Sequence, residues 1–365
     1  MFLIKYTFIF SEKYMITKNK FFYKNKKILF ISPALGGGGA ERIICRLASE
    51  FSKKYIVYLI FFFQRENEYY ISQNVQLIQI NKNCTKKVEL LRFVENVINK
   101  YKIDVIINFL RWFDEFDVNI SKKTKIIFSE RGDPIHSKIY NFSITKEAYK
   151  KADIIVFQTK YARDLFPKDI QKKGVIIPNP VAVECLSTNN ITSKKIVNVA
   201  RIVPNKNQEL LIQAFSIFQK SHKKYNLYIY GVGNLLDQLK ELVKSKNLEN
   251  SVHFEGFSQH IHENIKDAEF FVLSSDYEGS PNSLMEAMMM GIPSISTNCS
   301  GINEIITDKV NGLLVPINNV SSLANAMSIL SDNMTLRNII RRGALKTSEK
   351  WNTQKIIRKW EKLFY

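Results

Sequence analysis

The segment from residue 269 to residue 315 alternates apolar runs with polar loops, and this pattern constrains the fold more than any other part of the chain. Phe270–Leu273 is a short apolar run, typical of a parallel strand that is covered on both faces. A polar loop follows, then a predicted helix over Leu284–Met290 that Gly291 ends, then a strand that opens at Pro293–Ser296. The pattern predicts a strand–loop–helix–strand unit, and ligands bind beyond the carboxyl ends of such strands.

Two carboxylates lie eight residues apart around the start of that helix. Glu278 is in the loop, and Glu286 is on the helix, one turn past Asn282. Ser280, Asn282 and Ser283 surround the helix start, where backbone N–H groups point outward at an anion or a hydroxyl. Ionised carboxylates accept charge-assisted hydrogen bonds from vicinal hydroxyls. The segment therefore predicts a clamp for a sugar and a ribose.

A second pair of charged residues precedes another predicted helix. Arg201 and Lys206 are five residues apart, on the loop between a strand at Lys195–Val199 and an amphipathic helix at Gln208–Phe218. Arginine offers a forked donor and lysine a point charge, which together suit a diphosphate. Two such residues on a surface are also common as plain solvated charges, so the flanking sequence has to decide between these interpretations.

Four consecutive glycines follow the first predicted core strand. The strand is Lys27–Pro33, the glycines are Gly36–Gly39, and an amphipathic helix follows over Ala40–Phe51. This order lets a phosphate approach backbone N–H groups at a helix start. The dinucleotide fingerprint is not met, because Glu41 stands where its third glycine belongs, and no Gly-Lys-Ser/Thr follows to make a P-loop.

The order of the elements predicts two domains. Predicted strands and helices alternate from Lys27 onward, which is typical of parallel sheets. A chain of 365 residues is long enough for two domains, each with its own core. Pro178-Asn179-Pro180 stiffens the exit from the first series and is the predicted hinge. We predict an amino-terminal extension over 1–26, a first domain over 27–180, a second domain over 181–350 and a carboxyl-terminal helix over 351–365.

The stretch EGSPNSLMEAMMMGIP resembles the E-x7-E region of the retaining glycosyltransferases of family 4, which have the two-domain GT-B fold. The resemblance continues in VARIVPNKNQELLIQAF, LYIYGVG, VHFEGF and GGGAER, and covers residues 27–365. It implies two doubly wound, Rossmann-like α/β domains that face each other across a cleft. In such proteins the last helix crosses back onto the first domain, where the acceptor binds, while the second domain binds the donor.

The resemblance also implies the reaction, which is retaining transfer of a hexosyl or N-acetylhexosaminyl group from a nucleotide-diphosphate sugar. It implies front-face attack, with the leaving phosphate oxygen accepting the proton. Arg201 and Lys206 would neutralise the leaving diphosphate, Glu286 would hold the ribose and Glu278 the donor sugar. No cofactor and no metal ion are expected. The predicted catalytic residues are Arg201, Lys206 and Glu278, and the predicted donor contacts are Gly38, Gly39, Arg201, Lys206, Gly256, Phe257, Glu278, Ser280, Asn282, Ser283 and Glu286.

The acceptor side departs from the family pattern. Many relatives have a histidine after the strand that corresponds to Lys125–Ser129, but this chain reads SERGDP there. Glu130 or Arg131 is expected to take its place. The motif combination most resembles bacterial enzymes that build capsule, O-antigen or lipid-linked glycans on polyprenyl diphosphate. A soluble acceptor such as a glucan is the alternative.

The net charge of +19 suits anionic partners such as nucleotide diphosphates, lipid phosphates or an anionic membrane surface. Lysine enrichment throughout the chain is the competing explanation. Lys18–Lys27 mixes lysines with aromatic residues, which is typical of an interfacial anchor or of a disordered leader. With no apolar stretch of about 18 residues, we expect a cytoplasmic enzyme, peripheral on the inner face of the membrane.

Other functional classes of protein fit the sequence less well. A basic nucleic-acid-binding protein would need a cationic stripe with stacking aromatics, whereas the sharpest motif here is acidic, so no nucleic-acid partner is expected. An inactive partner subunit would not need the intact set of two cations and two glutamates. Four widely separated cysteines argue against a zinc site. His260 and His262 lack nearby ligands, which is typical of a solvated loop.

Overall fold

The computed structural model describes residues 25–64, 68–80, 87–109, 123–132, 149–188 and 193–365. Most of the proposed anchor at Lys18–Lys27 lies outside these ranges. No helix within them is both long enough and apolar enough to cross a bilayer.

The first domain is built on a seven-stranded sheet in the order β3-β2-β1-β4-β5-β6-β7, with every pair parallel. Its described helices are α1 (Gly39–Phe51), α2 (Lys87–Tyr101), α3 (Lys160–Asp164) and α4 (Lys168–Lys172). The strands are β1 (Lys27–Ala34), β2 (Ile56–Phe63), β3 (Val75–Gln79), β4 (Val105–Asn108), β5 (Lys125–Ser129), β6 (Ile154–Phe157) and β7 (Gly174–Ile176).

The second domain repeats this plan with a six-stranded parallel sheet in the order β10-β9-β8-β11-β12-β13. Its strands are β8 (Lys195–Val199), β9 (Asn226–Tyr230), β10 (Val252–Gly256), β11 (Phe270–Leu273), β12 (Ser294–Thr297) and β13 (Leu313–Val315). Its helices are α5 (Gln208–Gln219), α6 (Leu236–Ser245), α7 (Ile261–Ile265), α8 (Asn282–Met290), α9 (Val320–Asp332) and α10 (Met334–Ser348).

Apolar side chains alternate between the two faces of the second sheet. Ile196 of β8 and Phe270 of β11 pack into the core on one face, while their sequence neighbours Val197 and Phe271 pack into the core on the other. All four side chains are fully buried. Because both faces are covered, the strands are continuous apolar runs, as the sequence pattern predicted.

The end of the chain lies on the first domain. The backbone N–H of Val181 donates to the carbonyl of Trp351 at 2.9 Å, where the chain leaves the second domain. Helix α11 (Thr353–Glu361) then places Trp360 in the core of the first domain. Phe364 meets Phe51 of α1 edge to face, with ring centroids 5.1 Å apart. Apolar burial therefore ties the last helix to the first domain.

The strand order reverses once in each sheet, between β1 and β4 and between β8 and β11. Ligands of doubly wound sheets bind beyond the carboxyl ends of the strands at such a reversal. The glycine loop follows β1, the loop with Arg201 and Lys206 follows β8, and the loop with Glu278 follows β11. Three of the predicted segments thus lie at the positions where this topology places a ligand.

Candidate functional site

The loops after β8 and β11 meet through Lys206 and Glu278. The Lys206 ammonium donates to both carboxylate oxygens of Glu278 at 2.7 Å, and the Ser275 hydroxyl donates to Oε1 at 2.6 Å. Glu278 is buried and the Lys206 side chain is mostly buried. The structure therefore joins Lys206, predicted to bind the diphosphate, and Glu278, predicted to bind the sugar, in one short ion pair.

The backbone under this pair is braced by further bonds between the two loops. The Ser274 hydroxyl donates to the Lys206 carbonyl at 2.9 Å, and the Asn207 amide donates to Asp276 at 2.7 Å. Asn207 has a positive φ of 46° and caps α5 by accepting from the N–H of Leu210. An asparagine suits both tasks, because it tolerates the left-handed region and its side chain caps helices. The bracing keeps Lys206 in place before any ligand arrives.

Arg201 differs from Lys206. Its side chain is exposed and has no hydrogen-bond or ion-pair partner in the described part of the chain. Its backbone, however, lies against two glycines at the end of β9. A Cβ on Gly231 would be 1.9 Å from the Ala200 carbonyl oxygen, and one on Gly233 would be 1.9 Å from that of Ile202. Only glycine permits this approach, so the loop is held firmly while the guanidinium remains available.

The start of α8 faces the first domain. Its N-cap residue is Pro281, whose side chain makes no capping bond. The Asn282 side chain accepts from Asn179 of the hinge at 2.6 Å and lies 3.5 Å from the Gly39 carbonyl oxygen. The Ser280 hydroxyl contacts the Met285 sulfur at 3.5 Å. Asn282 and the glycine loop are therefore brought together across the domain boundary.

Two further predicted donor contacts lie at helix starts. Gly38 is the N-cap of α1, and Ser283, the second residue of α8, is half-buried.

Glu286 lies one turn further along α8 and is sealed between the domains, with 4% of its surface exposed. Arg42 of α1 donates to it, with Nη1 at 2.9 Å from Oε1 and 3.1 Å from Oε2. Burial alone raises the pKa of the Glu286 carboxyl, but Arg42, then His262 and Arg46, outweigh burial and hold that pKa below its usual value. Glu286 is therefore ionised at neutral pH.

The prediction that His262 lies in a solvated loop is wrong. His262 is on α7, is 3% exposed, and has Nε2 3.5 Å from Oε2 of Glu286. Its Nδ1 accepts from the backbone N–H of Glu184 at 3.3 Å, so the ring proton is on Nε2. His262 and Ile265 are three apart and both buried. That helical spacing was the available signal for an inward histidine.

The two acceptor-side candidates lie inside the first domain. The Glu130 carboxylate accepts from the N–H of Gly132 at 3.0 Å and from the Tyr149 hydroxyl. The Arg131 guanidinium lies 4.0 Å from the Phe109 ring centroid and donates to Asn179. Burial lowers the pKa of Arg131 to about 9, against the opposing effect of Glu130. Their role towards an acceptor stays a prediction.

Gly256 and Phe257 stand at the end of the edge strand β10. Gly256 has a φ of +69°, and a Cβ added to it would meet nothing within 4 Å. Its carbonyl accepts from the N–H of Gly231 at 2.7 Å, and Phe257 is 42% exposed. Open space and an exposed ring fit a place for a nucleobase, which remains a prediction.

No group of three possible metal ligands occurs among the described side chains.

Residues 187–347 match the family model described as Glycosyl transferases group 1. An uncharacterized glycosyltransferase of Methanocaldococcus jannaschii is 32% identical over 214 residues, which cover 53% of this chain and 53% of that protein. The chain thus spans about half the length of this relative. A Campylobacter jejuni enzyme, N-acetylgalactosamine-N,N'-diacetylbacillosaminyl-diphospho-undecaprenol 4-alpha-N-acetylgalactosaminyltransferase, is 28% identical over 89% of this chain and 95% of its own.

The solved structure of Anabaena HepE with UDP and glucose superposes with a TM-score of 0.79 at 18% identity. The match covers 93% of this chain and 99% of that protein. The chain therefore has the predicted GT-B fold, and residues 187–347, which include Arg201, Lys206, Glu278 and Glu286, resemble the group 1 glycosyl transferases.

Proposed function

We propose that this protein is a retaining glycosyltransferase. It moves a hexosyl or N-acetylhexosaminyl group from a nucleotide-diphosphate sugar to a glycan acceptor linked to polyprenyl diphosphate. The observation that carries the proposal is the pair between Lys206 and Glu278, 2.7 Å apart at the point where the second sheet reverses its strand order. A cation for a leaving phosphate and a carboxylate for a sugar hydroxyl are already side by side there.

Donor binding would exchange partners in this pair. The diphosphate replaces Glu278 as the anion beside Lys206, and the exposed guanidinium of Arg201 adds a forked donor to the same group. Glu278, still held by Ser275, then accepts from hydroxyls of the donor sugar. Because most of the charge of the transition state develops on the diphosphate, these two cations supply the main stabilisation.

In the proposed chemistry, the bond between C1 of the sugar and the diphosphate oxygen breaks, and the acceptor oxygen bonds to C1 on the same face. The acceptor proton passes to the leaving phosphate oxygen. Glu278 already binds Lys206 and Ser275, so we assign it to orientation of the sugar and not to covalent attack. The resemblance to family 4 supports retention.

The rest of the donor lies along the second domain. Glu286 is ionised and accepts the ribose hydroxyls, and the open space beside Gly256 and Phe257 receives the nucleobase. UDP is the first nucleotide to test, because the Anabaena structure has this fold and was solved with UDP. Fixed cations supply the charge that a metal ion would bring, so the proposed reaction needs no metal.

The acceptor assignment rests on two observations. The Campylobacter relative, whose name contains diphospho-undecaprenol, aligns over 95% of its length. The net charge of +19 favours a polyanionic lipid carrier and the anionic surface in which it lies. We therefore place the enzyme in the cytoplasm, at the inner face of the membrane.

A donor screen tests this function. The full chain is incubated with UDP-linked and GDP-linked hexoses and N-acetylhexosamines and a polyprenyl-diphosphate-linked glycan, and release of the nucleoside diphosphate is measured. We expect release from one donor class, dependent on the acceptor and lost in Lys206→Ala. NMR of the product gives the anomeric configuration. An inverted product contradicts retention, and no release from any donor contradicts the whole proposal.

A further inference from the structure

His262 has a place in the structure that the proposed chemistry leaves unused. Its imidazole is buried in the second domain, with each nitrogen turned towards a different group. Nδ1 accepts from the N–H of Glu184, and Nε2, which carries the proton, lies 3.5 Å from Oε2 of Glu286. Nε2 forms no hydrogen bond with the described residues in this arrangement, so its N–H is available to the nearby carboxylate. The ring therefore turns its donor towards the carboxylate assigned to the ribose.

The two partners of Glu286 come from different domains. Arg42 approaches both carboxylate oxygens from the first domain, and its side chain is 25% exposed. His262 approaches only Oε2, from the domain that also carries Glu286. A carboxylate offers about four acceptor positions, and two ribose hydroxyls need at least two of them. With Arg42 bridging both oxygens and His262 beside Oε2, the ribose hydroxyls lack sufficient room.

Arg42 is the partner that can leave. It sits on α1, beside the cleft that a nucleotide must enter, whereas His262 is fixed on the same body as Glu286 and is almost fully enclosed. If both partners were lost, nothing would fix the orientation of the buried Glu286 carboxylate, and its side chain would populate several rotamers. A single retained donor on Oε2 fixes the plane of the carboxylate and directs Oε1 to the ligand.

We propose that His262 is a positioning residue, which holds the Glu286 carboxylate in the orientation that receives the ribose once Arg42 has released it. The inference rests on the proposed function, in which Glu286 binds the ribose. His262 itself touches no part of the donor and acts through Glu286 alone.

Two substitutions of His262 test the contacts of the two ring nitrogens separately. In His262→Gln the side-chain amide nitrogen stands near the place of Nε2 and still donates to Glu286. In His262→Asn the shorter side chain reaches the N–H of Glu184 but not Glu286. Both variants are polar and smaller than histidine, so they are matched for general effects on packing. His262→Ser, which also lacks a donor that reaches Glu286, replaces the Asn variant if that variant does not fold.

The dissociation constant of UDP, and of GDP as a second probe, is measured by calorimetry on the full chain. We expect His262→Gln to bind within about threefold of wild type and His262→Asn to bind roughly tenfold more weakly, the size of one charge-assisted hydrogen bond. In a Glu286→Gln background the two variants should bind equally, because the group through which His262 acts has been neutralised. A residue that only filled space would give no rescue by glutamine and no dependence on Glu286.

Two outcomes would overturn the inference. Equal affinities of the Gln and Asn variants, or a difference that persists in the Glu286→Gln background, rejects the role of His262 while the proposed function stands. Failure of the wild type to bind either nucleotide rejects the proposed function, and the role of His262 with it.

Discussion

Arg42 of the first domain bridges both carboxylate oxygens of Glu286 of the second domain, at 2.9 and 3.1 Å. The two residues are 244 positions apart, so the contact exists only when the domains face each other. Glu286 is buried, whereas Arg42 retains some exposure. The pair therefore links the relative position of the domains to the state of the carboxylate that we assign to the ribose.

Removal of Arg42 should destabilise the protein. Arg42→Gln leaves a buried carboxylate with His262 as its remaining close partner, and we expect a loss of about 1–3 kcal/mol in the free energy of unfolding. Chemical denaturation of Arg42→Gln, Glu286→Gln and the double variant measures the coupling. Lys53→Gln, which removes a largely exposed cation just beyond the end of α1, is the control and should change stability by less than about 0.5 kcal/mol. Additive effects of the two substitutions would show that the pair contributes nothing.

Acid should weaken the protein through the same carboxyl. The pKa of Glu286 is below its ordinary value of 4.5 in the folded protein. A carboxyl with a lowered pKa contributes stability that is complete above the unfolded value and is lost as the pH falls through the folded value. We therefore expect the melting temperature to fall below pH 4.5, and to fall less steeply in Glu286→Gln. Identical acid profiles of the two proteins would contradict the lowered pKa.

The core and one side of the site were predictable, because they depend on local pattern. Phe270–Leu273 is an unbroken apolar run, and such a run is typical of a strand buried on both faces. Lys206 and Glu278 follow strands that are neighbours across the reversal of the sheet, so parallel topology alone brings their loops together. Helix boundaries shifted only slightly: α1 begins at Gly39, one residue earlier than predicted, because Gly38 serves as its cap.

The other side of the site depends on tertiary packing, which no local pattern reports. His262 approaches Glu286 from a short helix, and Arg42 approaches it from the other domain. Both residues are far from Glu286 in the sequence, so no periodic pattern links either of them to it. Glu130 was predicted as an acceptor-side residue because it follows β5. The structure shows that its carboxylate also accepts from the N–H of Gly132 and from the Tyr149 hydroxyl, contacts that became visible only with the fold. Its acceptor role stays a prediction.

The two cations should control turnover in variants that remain folded. Arg201→Ala or Lys206→Ala removes a preorganised contact to the leaving diphosphate, and we expect a loss of about 100- to 1000-fold in kcat. Lys220→Ala, at the opposite end of α5, is the matched control and should leave kcat unchanged. Turnover is followed by release of the nucleoside diphosphate, and melting temperatures check the fold. Activity within a few-fold of wild type in Arg201→Ala or Lys206→Ala would remove that residue from the phosphate site.

Activity should survive chelation. Lys206 and Arg201 already supply two positive charges beside the proposed diphosphate, so a divalent ion adds no necessary charge there. The full chain is treated with EDTA, desalted, and assayed with and without Mg²⁺ or Mn²⁺. We expect equal rates in all three conditions. A strict need for added metal would contradict a reaction that depends on these side chains alone.

The two glutamates should separate nucleotide binding from turnover. Glu286→Gln removes an ionised acceptor from the proposed ribose site, so we expect roughly tenfold weaker binding of both UDP and the donor. Glu278→Gln keeps an acceptor oxygen for Ser275 and removes the negative charge beside Lys206, so UDP binding should stay near the wild-type value while kcat falls. Calorimetry with UDP and steady-state rates on both variants give the comparison. The division of roles would be wrong if both variants lost the same affinity for UDP, because the free nucleotide carries no sugar for Glu278 to hold.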